Sequence, residues 1–199
     1  GNGNVGIGVK EPTEMLQVGG DALINGITIG TGKGNIDSNT AIGKDVLNSN
    51  TFGISNTAIG KDVLNLNTFG YNNTAIGFKA LYSNIGYDFR IVGTNENPAP
   101  PTAGVNNTAI GVRSLYSNTG YDNTAIGYEA LYNTSGASGN NNTAIGYAAG
   151  KTNETGSLNT FLGYGADCTN TNSNYSTAIG YDAKITKSNQ IVLGETTSP

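Results

Sequence analysis

Asn39-Thr40-Ala41-Ile42-Gly43 returns as Asn56-Thr57-Ala58-Ile59-Gly60 and as Asn73-Thr74-Ala75-Ile76-Gly77, and again at 107–111, 123–127 and 142–146. Degenerate copies follow at Asn159-Thr160-Phe161-Leu162-Gly163 and Ser176-Thr177-Ala178-Ile179-Gly180, with a last echo at Ile191-Val192-Leu193-Gly194. Successive motif glycines lie 17, 17, 34, 16, 19, 17, 17 and 14 residues apart. A fixed period of this kind marks a chain built from stacked copies of one small unit. Each motif leads into a second short unit, such as Lys44-Asp45-Val46-Leu47 or Tyr128-Glu129-Ala130-Leu131, and then into a polar turn rich in Asn, Ser, Thr and Gly. Sixteen or seventeen residues are too few for a βαβ unit, which needs about 30. They suit one coil of a parallel β-solenoid, with Thr-Ala-Ile pairing on Thr-Ala-Ile at about 4.8 Å per coil.

Alternation along a strand sorts the side chains into two faces. Thr and Ile share one face of the motif; Ala and Gly share the other. Apolar bulk assigns Ile42, Ile59, Ile76, Ile110, Ile126, Ile145, Leu162 and Ile179 to the interior of the coil, joined by Leu47, Leu64, Leu81, Leu115 and Leu131 from the second unit. The Ala/Gly face is then a smooth outer surface on which a neighbouring backbone can pack. The motif glycines suit a bend that needs positive φ or has no room for a Cβ. The asparagine column suits turns and side-chain ladders between coils.

Composition agrees with a repetitive fold and narrows the function classes. Only 36% of the 199 residues are hydrophobic, against roughly 45–50% in globular domains, so one large core is hard to build and stability must come from ladders and small stacked cores. The net charge of −4, with ten Lys and Arg and no basic cluster, argues against nucleic acid as a partner. No apolar run approaches the roughly 20 residues of a membrane span, and Gly1-Asn2-Gly3-Asn4 has no signal-peptide character. Cys168 is the single cysteine, so no internal disulfide framework is available.

The repeated Asn-Thr-Ala-Ile-Gly-Tyr-x-Ala-Leu resembles the head repeats of trimeric autotransporter adhesins. Its longer period is closer to the related repeats of phage and prophage tail-fibre proteins. Asn4-Val5-Gly6-Ile7-Gly8, Pro12 and Leu16-Gln17-Val18-Gly19-Gly20-Asp21-Ala22-Leu23-Ile24-Asn25-Gly26 resemble a tail-fibre shaft module, and Ser188-Asn189-Gln190-Ile191-Val192-Leu193-Gly194 resembles the close of such repeat regions. The resemblance implies an all-β, left-handed parallel β-roll of about eight 16–19-residue coils, assembled as an intertwined or side-by-side homotrimer. It implies an extracellular fibre on a virion or a bacterial cell surface. Residues 1–35 read as a β-rich shaft or cap module, 36–187 as the β-roll with an inserted loop at 89–106, and 188–199 as a closing strand leading to a further C-terminal region.

Three features are candidates for function. The loop at 89–106 breaks the period, and insertions in solenoids often lie on the binding face. It carries Phe89, Arg90, Ile91, Glu96 and Pro100, where an aromatic beside an arginine suits a host-surface glycan or protein. Tyrosines recur in register: Tyr82, Tyr116 and Tyr132 after the second-unit Leu, and Tyr128, Tyr147, Tyr164 and Tyr181 after motif glycines. Such rows serve either as a glycan strip or as seam packing. A threonine recurs once per coil (Thr40, Thr57, Thr74, Thr108, Thr124, Thr143, Thr160, Thr177), the kind of row that orders water on ice-binding solenoids.

Catalysis has no support in the residues. There is no histidine to activate Cys168 or a serine, and the acids, among them Asp45, Asp62, Glu129 and Asp182, fall at variable, solvent-facing positions. No ligand spacing implies a metal, and no glycine-rich turn leads into a helix that would hold a phosphate. No cofactor is expected.

Overall fold

The computed structural model describes residues 3–86, 103–134 and 139–194. It is all-β, a parallel β-solenoid of about eight turns. Four strands precede the repeats: β1 (Val5–Ile7), β2 (Leu16–Val18), β3 (Ala22–Ile24) and β4 (Ile27–Gly30). The motif strands follow as β5 (Thr40–Gly43), β6 (Thr57–Ile59), β7 (Thr74–Ile76), β8 (Thr108–Ile110), β9 (Thr124–Ile126), β10 (Thr143–Ile145), β11 (Thr160–Leu162), β13 (Thr177–Ile179) and β15 (Ile191–Leu193). Between the last of these lie the short strands β12 (Asp167–Cys168) and β14 (Lys184–Ile185).

Strands β5 to β11, β13 and β15 stack in parallel, each threonine opposite the next threonine until Thr177 meets Ile191. At the N-terminal end the hairpin β3–β4 turns through Asn25 and Gly26, both at positive φ (50° and 79°), as a two-residue hairpin turn requires. Strand β4 pairs antiparallel with β5, so the hairpin covers the first edge of the parallel stack and completes an eleven-stranded sheet. Strands β1 and β2 form a separate parallel pair.

The strand interior is reversed from the sequence reading. Ala41, Ala58, Ala75, Ala109, Ala125, Ala144, Phe161 and Ala178 are fully buried. Ile42 is 37% exposed, and Ile59, Ile76, Ile110, Ile126, Ile145, Leu162 and Ile179 also lie on the outer face, half-buried or exposed. None of these eight is core. The period of two is right; its parity is the opposite of the one hydrophobicity suggests. The reason is thickness. Leu47, Leu64, Leu81, Leu115 and Leu131, which are buried as expected, fill the narrow coil from the opposite wall, and only a methyl fits across from them.

The motif glycines then sit in the wall and stack on one another. At Gly127, φ is 138°, and a Cβ there would collide with the carbonyl of Gly146 in the next coil. The second unit turns through two further left-handed residues. In the first coil these are Asp45 (φ 55°) and the buried Leu47 (φ 48°); the equivalent leucines 64, 81, 115 and 131 lie at φ 46–48°. A left-handed leucine costs about 1–3 kcal/mol, a cost offset by burial of its side chain, worth roughly 1.5–3 kcal/mol.

The other end of each coil is filled by asparagine. Asn39, Asn56, Asn73, Asn107, Asn123, Asn142 and Asn159 form one buried column, and Asn50, Asn67, Asn84, Asn118 and Asn153 a second. In the first column each side-chain oxygen accepts the backbone N–H of the next member, as Asn39 does from Asn56 at 2.8 Å. Both columns donate to the turn carbonyls: Asn107 and Asn118 to Gly120 O, each at 3.0 Å, and Asn142 and Asn153 to Gly156 O at 2.8 and 2.9 Å. Among the described residues no buried side-chain nitrogen or oxygen lacks a partner. One end of each coil's interior is thus a satisfied polar ladder, which is how a chain so poor in apolar residues closes a core.

The coil register passes through the insertion unbroken. Thr74 pairs with Thr108, and Leu81 N–H donates to Ser114 O. Gly104 takes the place that Gly70 and Gly120 hold in neighbouring coils, accepting from Asn73 and Asn84 at 2.8 and 2.9 Å. Asn106 stacks on Asp122, not on a residue of the next motif. Twenty positions separate Asn84 from Gly104 where two separate Asn118 from Gly120, so eighteen residues are inserted, but between 84 and 104. The sequence reading puts the loop at 89–106 instead. Residues 104–106 belong to the coil.

Candidate functional site

The outer face of the eleven-stranded sheet is a regular surface. Thr40, Thr57, Thr74, Thr108, Thr124, Thr143, Thr160 and Thr177 form one row on it, and the isoleucines, with Leu162, form a second two residues along. Neither row contains a charge. Ile29 of β4 stands opposite Ile42 and extends the apolar row into the hairpin; Leu193 of β15 extends it at the other end. The surface is therefore an exposed apolar stripe flanked by hydroxyls.

Just past the glycine bend runs the tyrosine row. Tyr128, Tyr147, Tyr164 and Tyr181 stack with ring centroids 5.1, 4.9 and 5.5 Å apart and planes within 7–16° of parallel. A second row, Tyr82, Tyr116 and Tyr132, stacks at 5.2 and 5.1 Å and is half-buried. Phe52 and Phe69 form a third stack. In-register repeats put identical rings one coil apart, at about the 4.8 Å strand spacing. The ring faces are consequently occupied by each other. A sugar stacks on a free aromatic face, and within these rows the rings offer edges and hydroxyls, so the rows act as packing along the axis.

One acid departs from the solvent-facing placement expected of it. Glu129 is buried and bridges Lys151 at 2.6 Å and Arg113 at 3.3 Å. These cations, together with Tyr128, hold its carboxyl below the usual glutamate range, Lys151 contributing most and burial opposing. Arg113 and Glu129 occupy the same place in consecutive repeats, two residues after Gly111 and Gly127. Aligning the copies by that glycine is the signal that would have found the pair. Lysines also lie over the aromatic rows: Lys79 is 5.3 Å from the Phe78 ring and 5.2 Å from that of Tyr82.

Asp167 is the other buried acid among the described residues. It accepts from Thr152 Oγ1 at 2.7 Å and from Cys168 N–H at 2.9 Å. Burial raises its pKa and these bonds oppose the shift. Burial, with Asp167 alongside, also pushes the Cys168 thiol up to about 12. A thiol in that environment is a packing group, not a nucleophile.

Phe89, Arg90, Ile91, Glu96 and Pro100, the candidate receptor-binding residues, lie outside the described residues. Among the described residues no group of three or more His, Cys, Asp or Glu is placed to hold a metal, and no helix is long and apolar enough to cross a membrane. Comparison with family models, with curated proteins and with solved structures finds no match to this chain.

Proposed function

We propose that the chain is a structural and adhesive element of an extracellular fibre, three copies forming the rod of a viral tail fibre that contacts a host cell surface. The supporting observation is the uncharged isoleucine row that runs along the outer sheet from Ile29 to Leu193. Contiguous apolar surface of this kind marks an interaction face. The threonine–isoleucine face, rather than the buried alanines, therefore makes the contact between copies. The sequence resemblance supplies the homotrimer and the fibre; a bacterial trimeric surface adhesin uses the same rod with a different anchor. The residues spliced between 84 and 104 are the part of the rod offered to a host glycan or protein. No enzymatic activity or cofactor is part of this reading.

Light scattering of the purified chain tests it directly. A mass near three times 20.4 kDa supports the fibre. A stable monomer removes it and favours a second reading, ice binding, for which the specific observation is the outward threonine row on a regular parallel sheet. Thermal hysteresis of the monomer would then decide, and substitution of Thr124 and Thr143 by Lys should abolish it.

A further inference from the structure

We propose that the row Tyr128–Tyr147–Tyr164–Tyr181 is a site of oxidative cross-linking, at which successive coils become joined by dityrosine bonds within one chain. The four rings are 40, 48, 53 and 61% exposed, increasingly so along the row, so a diffusible oxidant reaches them. Each lies about 5 Å from the next and nearly parallel to it, at 5.1, 4.9 and 5.5 Å. Because the repeats are in register, equivalent rings recur about one coil spacing apart at every step. Two phenoxyl groups formed on neighbouring coils are therefore held close, and only a side-chain rotation separates them from bonding distance.

The chemistry is a two-electron coupling. A one-electron oxidant takes one electron from each of two neighbouring phenols, and each phenolic proton goes to water. The two phenoxyl radicals join through the ring carbons ortho to oxygen, forming one carbon–carbon bond. The ortho hydrogens then move to the oxygens and restore both phenols, so the linked pair is lighter by two hydrogens. The rings must splay to bring those carbons together, which half-exposed side chains can do. Each link closes a loop of 19 or 17 residues. That is the kind of constraint a disulfide supplies by restricting the unfolded chain, and the lone Cys168 cannot supply it within this chain.

The test uses the full chain at low concentration, photo-oxidised by a ruthenium(II) polypyridyl complex with persulfate as the terminal electron acceptor, one persulfate per link. Peptide mapping by mass spectrometry of monomer-mass product is expected to find links joining 128 to 147, 147 to 164 and 164 to 181. In denaturant this selectivity should vanish. The double variant Tyr147→Phe, Tyr164→Phe keeps the stacked rings and leaves Tyr128 and Tyr181 about 14 Å apart. It should lose at least nine-tenths of the intramolecular dityrosine fluorescence of this row while keeping the wild-type circular dichroism. The proposal is overturned if links scatter to the exposed, isolated Tyr175, if the main product joins separate chains, or if the double variant cross-links as well as the parent.

Discussion

The side-chain amides of Asn39 and Asn50 meet on a single acceptor, the carbonyl oxygen of Gly53, at 2.8 and 2.9 Å. The same convergence recurs in later coils, and it locks the motif strand to the turn that closes the coil. Each such amide is buried, so its loss leaves partners that water cannot reach.

Asn107→Ala is therefore expected to be strongly destabilising. It removes donation to Gly120 O and Asn73 Oδ1 and strips the buried Asn123 N–H of its acceptor. A cost of about 3 kcal/mol follows from the desolvation of orphaned groups. A urea titration should show the midpoint fall by that equivalent; an unchanged midpoint would mean that the ladder is decorative.

The reversed faces give opposite expectations for two large aliphatic residues. Leu115→Ala empties a fully buried site and should cost about 2–5 kcal/mol. Ile110→Ala, on the outer row, should cost under about 1 kcal/mol in a single chain, as surface changes generally do. In a protein associated through that row, Ile126→Lys should lower the mass measured by light scattering and leave the far-ultraviolet circular dichroism intact.

Glu129 makes part of the stability depend on pH. Its folded pKa is lowered, so its contribution is complete above the ordinary glutamate value and is lost as pH falls through the lower folded value. Glu129→Gln should thus be less stable than wild type at pH 7, by about 1 kcal/mol or less for a pair with such exposed cations. The gap should close on acidification below the usual glutamate range. Parallel melts at several pH values check the sign.

Asp167 has the opposite sign. Its raised folded pKa means that stability is lost as pH rises from the ordinary aspartate value through the folded one. Asp167→Asn keeps an oxygen for Thr152 and Cys168 and should gain on wild type with rising pH. Cys168 should react with an aromatic disulfide reagent in urea and at least a hundredfold more slowly when native, since its thiol stays protonated to about pH 12 and is buried. Equal rates in both states would contradict its placement.

The period, the strand positions and the parallel stacking were all legible because Thr-Ala-Ile repeats nearly without change. The buried leucines and the role of asparagine as an inter-coil ladder were legible as well. Parity was not. Alternation distinguishes two faces without saying which is inside, and hydrophobicity chose Ile over Ala. What decides the matter is the width of the coil, fixed by Leu47 and its equivalents at positive φ, and no local pattern announces a left-handed leucine. The displacement of the insertion has a similar origin. Ser83-Asn84-Ile85-Gly86-Tyr87-Asp88 imitates 117–122 in sequence, yet Gly104 and not Gly86 receives the two asparagine amides.

One pair of residues bears on how such a solenoid can lengthen. Gly150 stands where earlier coils carry the buried leucine, and Phe161, in the alanine position of the next strand, fills the vacated space; a Cβ at Gly150 would lie 2.6 Å from the Phe161 ring. The coils that begin at Asn39 and Asn56 are each seventeen residues long and share the same motif, so duplication or deletion of one such unit there keeps the strand register and the asparagine columns. A cut between Gly150 and Phe161 separates complementary shapes, leaving a void on one side and a collision on the other. A whole coil is therefore added or removed with less disturbance among the first coils than across the Gly150–Phe161 pair.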